Sequence, residues 1–391
     1  MTQSVSTKMI SSLASAKLTG AMPALDGAAL TGLSVALVSN ASDPSMTSNP
    51  ATGIGTIWTN HTSGKTFVLT NATANKNLWE NIGNGVANIS TLCFGGRGGG
   101  TQYGYNAGGK NGPYFSAIDK FAFAAVITAS GHGDLRVGRS DMSGSSSNTH
   151  GFAAGGYYSP NVAANHTKID KFAFASNTTA ANHGDITTAV DECCASHGDL
   201  THGYSVGGKT NIRTINKYAF ATSGGTAGHG DMSGSEKYLS SSSSNTHGYI
   251  TGGAPPVVNT IQKLAFASTS GTSDAGDLVE THAYGAGFSS NTHGYVAGGS
   301  GTWNSNHVQR YSYFSGINQY SIGDLTSTHN ESSYSGNGHC GASSSTTNGY
   351  AAGGHPNTDT IVTFSFGTDT RTTDHGNLRT AGRGYCRDNQ S

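Results

Sequence analysis

The chain has 391 residues, of which 57 are Gly, 11% are charged and 35% are apolar, and its formal net charge is −1. A charge so close to zero argues against an electrostatic nucleic-acid or membrane-surface role, and no apolar run is long enough to cross a bilayer. The five cysteines (Cys93, Cys193, Cys194, Cys340 and Cys386) lack metal-ligand spacing and read as free thiols. The sequence calls for no metal and no cofactor.

The opening residues "SVSTKMISSLASAKL" (4–18) place Val5, Met9 and Leu13, with Ile10, on one narrow helical face. Serines interrupt the apolar character, so a signal peptide is not expected. A helix this short gains little stability alone and is expected to pack on a partner. The next stretch, "KLTGAMPALDGAALTGL" (17–33), repeats "LTG" at 18–20 and 30–32 and carries no core of its own. Residues 43–83 read as a small β-module: "TIW" and "TFVL" form a hairpin about "NHTSGK", and Trp58 packs with Trp79.

From about residue 90 the chain repeats itself. Gly-aromatic-x-x-Gly-Gly begins at Gly104, Gly151, Gly203, Gly248, Gly294 and Gly349. Each copy is followed by a second element: "IDKFAF" from Ile118 and Ile169, "INKYAF" from Ile215, "IQKLAF" from Ile261, "VQRYSY" from Val308 and "IVTFSF" from Ile361. A third element follows as "HGDL", "HGDI", "HGDM", "AGDL", "IGDL" and "HGNL". A near-constant step between copies places the chain among repeat architectures. Within a unit the apolar period is two, and both faces of "IDKFAFA" are apolar, which demands a cover on each face. Tiny-residue stretches such as "SGSSSN" (143–148) and "SSSSSN" (240–245) suit a strand crowded around an axis. Paired glycines suit a turn that a side chain would obstruct. These features predict an all-β, six-bladed β-propeller. Both 90–100 and 380–391 are candidates for the innermost strand of the first blade.

The pairing of a Gly-Gly strand with an aromatic strand resembles kelch repeats over about residues 90–391, although "GDL" stands where kelch repeats carry a Trp. The expected organisation is therefore residues 1–42 as a helix and extended attachment segment, 43–85 as the β-module, and 86–391 as the kelch-like propeller.

One spacing recurs within the units. Lys120 and Asp134, Lys171 and Asp185, Lys217 and Asp231, Lys263 and Asp277, and Arg310 and Asp324 are all separated by the same interval, and the sixth unit has neutral Thr363 and Asn377 instead. This predicts five same-blade ion pairs whose partners vanish together.

The segment between Gly-Gly and the next strand varies in length from unit to unit and is longest at 157–168, and the link at 326–348 is also long. Loops that vary on a rigid frame are where recognition resides. Tyr114, Tyr157, Tyr158 and Trp303 offer flat apolar faces beside polar groups such as Asn304 and Asp359, a mixture suited to the C–H faces and hydroxyls of sugars. These six are the candidate ligand-binding residues.

Chemistry has weaker support. His150, His202, His247 and His293 share one repeat position, and His132, His183, His229 and His375 share another. Copies spread one per blade cannot converge on one substrate, so a structural use is expected. No unique His and Tyr set suggests an oxidase. The carboxylates Asp191, Glu192, Asp274, Glu331 and Asp359 form no pattern of glycosidase acid and nucleophile. No catalytic residue is nominated.

The stretch "KLTGAMPALDGAALTGL" and the "G-x-x-W-x-N-x-x-S-G" pattern at Gly55–Gly64 resemble bacteriophage tail fibres of the marine and cyanobacterial type, over roughly residues 15–85. The resemblance implies a virion appendage that docks on other virion proteins through residues 1–42 and binds a host surface polysaccharide distally. It also implies a homotrimer, although no heptad stalk is written here. The second reading is a purely structural virion protein whose propeller contacts other virion proteins. Nucleic acid and membrane insertion are expected in neither.

Overall fold

Alternating apolar residues, glycine punctuation and almost no long apolar run leave strands as the economical solution, and every regular element among the described residues is a β-strand. The computed structural model describes residues 37–83 and 102–390 except 63–64, 75, 159–166, 191–194, 200, 209–211, 300–306, 314–319, 325–340, 355–356, 369–371 and 383–385. Among them no helix is long and apolar enough to cross a membrane. The helix expected over 4–18 lies outside the described residues. Two compact units divide at Ile89/Ser90.

The smaller unit holds one sheet of four strands. Leu37–Asn40 runs parallel to Ile57–Asn60, which pairs antiparallel with Thr66–Asn71, itself paired with Leu78–Gly83. The expected hairpin and tryptophan contact are both present: Trp58 and Trp79 meet edge to face at 5.6 Å. The sheet begins at Leu37, so it takes in residues assigned above to the attachment segment. Asp43 ties the module together by accepting bonds from Lys65 Nζ (2.8 Å) and Asn60 Nδ2 (2.6 Å).

The larger unit holds six sheets, each of four antiparallel strands in chain-consecutive order except the first. Sheet 1 joins Tyr103–Ala107, Ala117–Ala122 and Ser130–Asp134, with Cys386–Gln390 as its first strand. Sheet 2 comprises Ser143–Ser146, His150–Ala154, Lys168–Ala173 and Ala181–Asp185, and Gly224–Gly225 adds a short parallel pairing at its edge. Sheet 3 comprises Ala195–Gly198, His202–Val206, Thr214–Ala219 and Ala227–Asp231. Sheet 4 comprises Ser240–Ser243, His247–Thr251, Val258–Ala265 and Thr272–His282. Sheet 5 comprises Ala286–Ser289, His293–Ala297, His307–Ser312 and Tyr320–Asp324. Sheet 6 comprises Gly341–Ser344, Asn348–Ala352, Thr358–Ser365 and Thr373–Gly382. Of the two segments that could have completed sheet 1, it is 386–390 that pairs with Tyr103–Ala107.

First strands lie beside first strands: each contacts that of the next sheet, and Gly341–Ser344 contacts Cys386–Gln390. Their small residues are buried throughout in sheets 2 to 6, and serine hydroxyls accept from neighbouring backbone, as Ser289 Oγ does from Ser243 N and Ser344 Oγ from Ser289 N. All six Gly-Gly pairs have positive φ, which explains why the turn after the second strand excludes other residues.

Aromatic rings bind sheet to sheet. Tyr105, Phe152, Tyr204, Tyr249, Tyr295 and Tyr350 of the second strands stack on Phe174, Phe220, Phe266, Tyr313, Phe366 and Phe123 of the following sheet, with centroids 4.5–4.9 Å apart. The last pair joins sheet 6 to sheet 1. The glycine before the aromatic makes room for a third-strand ring in sheets 1, 3, 5 and 6: a Cβ on Gly104 would sit 2.3 Å from Phe121 Cζ, and one on Gly294 2.4 Å from Tyr311 Cζ, whereas in sheet 4 one on Gly248 would sit 2.6 Å from the first-strand His197 Cγ.

Four of the five expected ion pairs require correction. Strand register sets Lys120 opposite Ser130 but Asp134 opposite Ala117, three positions away, and an irregularity in the ladder lies between. Sheets 2, 3 and 4 repeat the offset, and none of the four Lys–Asp pairs forms. In sheet 5, Arg310 faces Tyr320 and His307 faces Asp324, whose side chain lies outside the described residues. Asp185 pairs instead with Lys168 at 2.8 Å. The lysines cross the other way, over the second-strand ring opposite them: Lys120 on Tyr105, Lys171 on Phe152, Lys217 on Tyr204 and Lys263 on Tyr249, at 5.4–6.0 Å from the centroids.

A different position carries the polar links between sheets, the residue before each lysine. Asp170 is 1% exposed and receives Arg136 Nε (2.5 Å) and the buried Arg139 Nη2 (3.1 Å). Asp119 receives Arg379 Nε at 2.6 Å. Asn216 accepts from Thr187, Gln262 from Ser233 and Gln309 from the Glu280 amide, while sheet 6 has buried Val362 there. Removing Asp170 strands the Arg139 guanidinium inside the protein. Asp170→Ala is expected to lower unfolding free energy by about 3 kcal/mol, read from the urea midpoint, whereas Lys171→Met at the neighbouring cation–π position should cost about 1 kcal/mol or less.

Candidate functional site

The loops that follow the Gly-Gly turns and the links that lead into the first strands lie at one rim, because they pair with each other. Ser140 in a link exchanges backbone hydrogen bonds with Tyr157 (2.9 and 2.8 Å), and Lys237 does so with Ala254.

Of the six candidate residues, the structure brings Tyr114 and Tyr157 together. Tyr114 stands in the second-to-third-strand loop of sheet 1, held by a bridge to Lys110, and Tyr157 follows the glycines of sheet 2. Their half-buried rings are 5.8 Å apart, tilted by 45°, and Lys110 Nζ lies 5.0 Å from the Tyr114 centroid. Tyr158, also half-buried, follows directly in the chain. On the other side of the sheet 1 loop, Asn111 accepts from Asn357 Nδ2 at 2.7 Å and donates to the Ala381 carbonyl at 3.1 Å. Half-buried Asp359 stands two positions beyond Asn357, in the strand of sheet 6. Trp303 and Asn304 lie outside the described residues. The assembled part of the site thus spans the loops of sheets 6, 1 and 2, with two tyrosine rings, one ammonium group and two primary amides.

A second aromatic pair on this rim was not anticipated. Tyr238 and Tyr284 stack at 4.0 Å and 24°, and Lys237 Nζ lies 4.7 Å from the Tyr238 centroid. Both tyrosines have positive φ, 62° and 67°, as does Asp141 at 61°, and all three stand two positions before a first strand. A bulky residue in this region is strained. The step from Tyr238 to Tyr284 equals the local repeat step from Gly248 to Gly294, and that identity was the available signal.

The repeated histidines are engaged in repeated bonds. Nε2 of His132, His183, His229 and His375 bonds the carbonyls of Ala173, Ala219, Ala265 and Ala122, each in the following sheet, at 2.7–3.1 Å. His150, His202, His247 and His293 pair Nδ1 with the hydroxyl of the preceding threonine at 2.7–2.8 Å. Among the described residues no group of three His, Cys, Asp or Glu side chains could hold a metal ion.

Two further histidines are sealed in the frame. His197 of a first strand meets Ser243 Oγ through Nδ1 at 3.0 Å, and His282 Nε2 meets Ser240 Oγ at 3.1 Å. Burial pushes both imidazoles down to about 3 from the ordinary 6.5. Above pH 6.5 they are neutral whether the chain is folded or unfolded. Below it the unfolded chain takes up protons that the folded protein refuses, so stability falls with pH by roughly 1 kcal/mol per unit for each histidine. Urea midpoints measured at pH 7, 6 and 5 should therefore decline, and His197→Gln should flatten the decline.

No protein-family model matches the chain, and no curated protein matches it either.

Proposed function

We propose that the six sheets are the blades of a kelch-type β-propeller, and that this propeller is the glycan-binding part of a phage virion appendage. Three observations support the ring: first strands that adjoin in cyclic order, the Tyr350–Phe123 stack between sheets 6 and 1, and the matching His375 bond to Ala122. The attachment role rests on the sequence resemblance of the segment 15–85 to phage tail fibres, which makes the segment 1–42 the contact to other virion proteins.

Recognition rests on one observation above the others: Tyr114 and Tyr157 come from loops of two different sheets and converge beside Lys110. Tilted rings on a rigid frame give a sugar two apolar walls, and the Lys110 ammonium beside them gives its hydroxyls a donor. The loops differ in length and composition while the strands beneath them repeat, so specificity can change without disturbing the frame.

Labelled protein should bind the surface polysaccharide of some members of a panel of candidate host bacteria and not of others. Tyr114→Ala/Tyr157→Ala should weaken that binding about tenfold or more, the loss of two stacking rings at about 0.5–1.5 kcal/mol each. Binding to no polysaccharide by a protein whose unfolding midpoint is normal would favour the assembly role instead.

A further inference from the structure

The rim opposite the paired glycines carries the turns between first and second strands and between third and fourth strands. Between sheets 5 and 6 it holds a pocket of about 410 Å³, whose walls include His293, Tyr295, Arg310, Thr347, Ser365 and Phe366. That volume lies within the range of small-molecule sites.

The repeat departs from its pattern here. In sheets 1, 2, 3 and 6 the fourth-strand histidine sits edge-on to the second-strand ring, with centroids 4.7–5.0 Å apart, and bonds a carbonyl of the next sheet. Counting two positions back from the "GD" aspartate, sheet 4 has Ala275 and sheet 5 has Ile322 where those sheets have histidine. An isoleucine side chain has no N–H to give, and the carbonyl that corresponds to Ala173 belongs to Ser365, which lines the pocket. The same sheet also exchanges the repeated lysine for Arg310, and the facing unit has neutral Thr363 at the matching position.

The lining is therefore one guanidinium, several hydroxyls and two stacked rings, Tyr295 and Phe366. Among the described residues that line it, Arg310 is the only permanently charged one. His293 does not add a second charge at neutral pH, since burial, then the charge of Arg310, holds its pKa below the ordinary imidazole value. A planar guanidinium matches a carboxylate two bonds at a time, hydroxyls match the alcohol groups of a sugar, and the aromatic edges match its C–H bonds.

We infer that this pocket is a second ligand site that takes a carboxylate-bearing sugar, a uronic acid unit, with Arg310 holding the carboxylate. It lies on the rim opposite Tyr114 and Tyr157 and does not depend on the recognition assigned to those residues.

Titration of the full chain with glucuronate and with its neutral methyl ester tests the charge requirement on the unaltered protein. The acid should bind at least tenfold more tightly than the ester. Arg310→Met should lose at least tenfold in glucuronate affinity, and Tyr157→Ala should leave it unchanged. Equal affinity for acid and ester, absence of binding, full binding by Arg310→Met, or an equal loss in Tyr157→Ala would each overturn the assignment. If Arg310→Met fails to fold, the comparison of acid with ester decides alone. Failure of the tyrosine-rim reading would show instead as host-polysaccharide binding insensitive to Tyr114 and Tyr157, which leaves this result untouched.

Discussion

The six sheets depend on one interaction, the flat stack between a second-strand ring and the second aromatic of the following sheet. Stacked and tilted ring pairs contribute about 0.5–1.5 kcal/mol each beyond the area they bury, and this chain makes the same contact six times. The stack dictates its neighbours. The glycine before the ring is there because another ring, that of the third strand in sheets 1, 3, 5 and 6 and His197 in sheet 4, approaches its Cα too closely for a Cβ. In sheets 1, 2, 3 and 6 the histidine of the fourth strand fills the ring's edge and ties itself to the next sheet. In sheets 1 to 4 the lysine opposite lies over the ring as well. The repeated Gly-aromatic-x-x-Gly-Gly motif is thus the local statement of a contact between sheets.

Next to the stacks, one buried position solves the same problem with different chemistry. A polar group at the residue before the lysine must find a donor in the preceding sheet. Aspartate takes arginine, asparagine takes threonine, glutamine takes serine or a bare amide, and valine needs nothing. Position identity is kept by burial, not by charge. That is why a chain with so few charged residues can place two aspartates in its interior, each with an arginine of the adjoining sheet.

Much of this frame was legible in the sequence. The repeat boundaries, the tiny residues of the first strands, the turn glycines and the contact of Trp58 with Trp79 follow from period, size and φ, which are local properties. The ion pairs did not follow, because a constant spacing along the chain fixes a hairpin length and not its register: the antiparallel ladder sets Ser130 opposite Lys120 and leaves Asp134 opposite Ala117, three places away. Asp119 and Asp170 read as ordinary strand residues, and only the neighbouring sheet reveals them as buried. At the rim, Tyr114 and Tyr157 could be placed on loops, but their convergence depends on two sheets meeting. Tyr238 and Tyr284 escaped notice because their role is set by a positive φ that the sequence does not mark.

The pairing of Cys386–Gln390 with Tyr103–Ala107 has a consequence in time. Its partners come from opposite ends of the larger unit's sequence, Cys386 against Ala107, while every other first strand pairs with the strand that follows it. Closing so long a loop costs more chain entropy than closing a hairpin, and long-range pairings slow folding. During synthesis, sheets 2 to 6 can each form as their own residues emerge, but sheet 1 waits with the edge of Tyr103–Ala107 open until Cys386 has appeared. An open edge is a template for any other extended chain. The same strand that completes sheet 1 therefore also sets the interval in which a neighbouring copy could take its place.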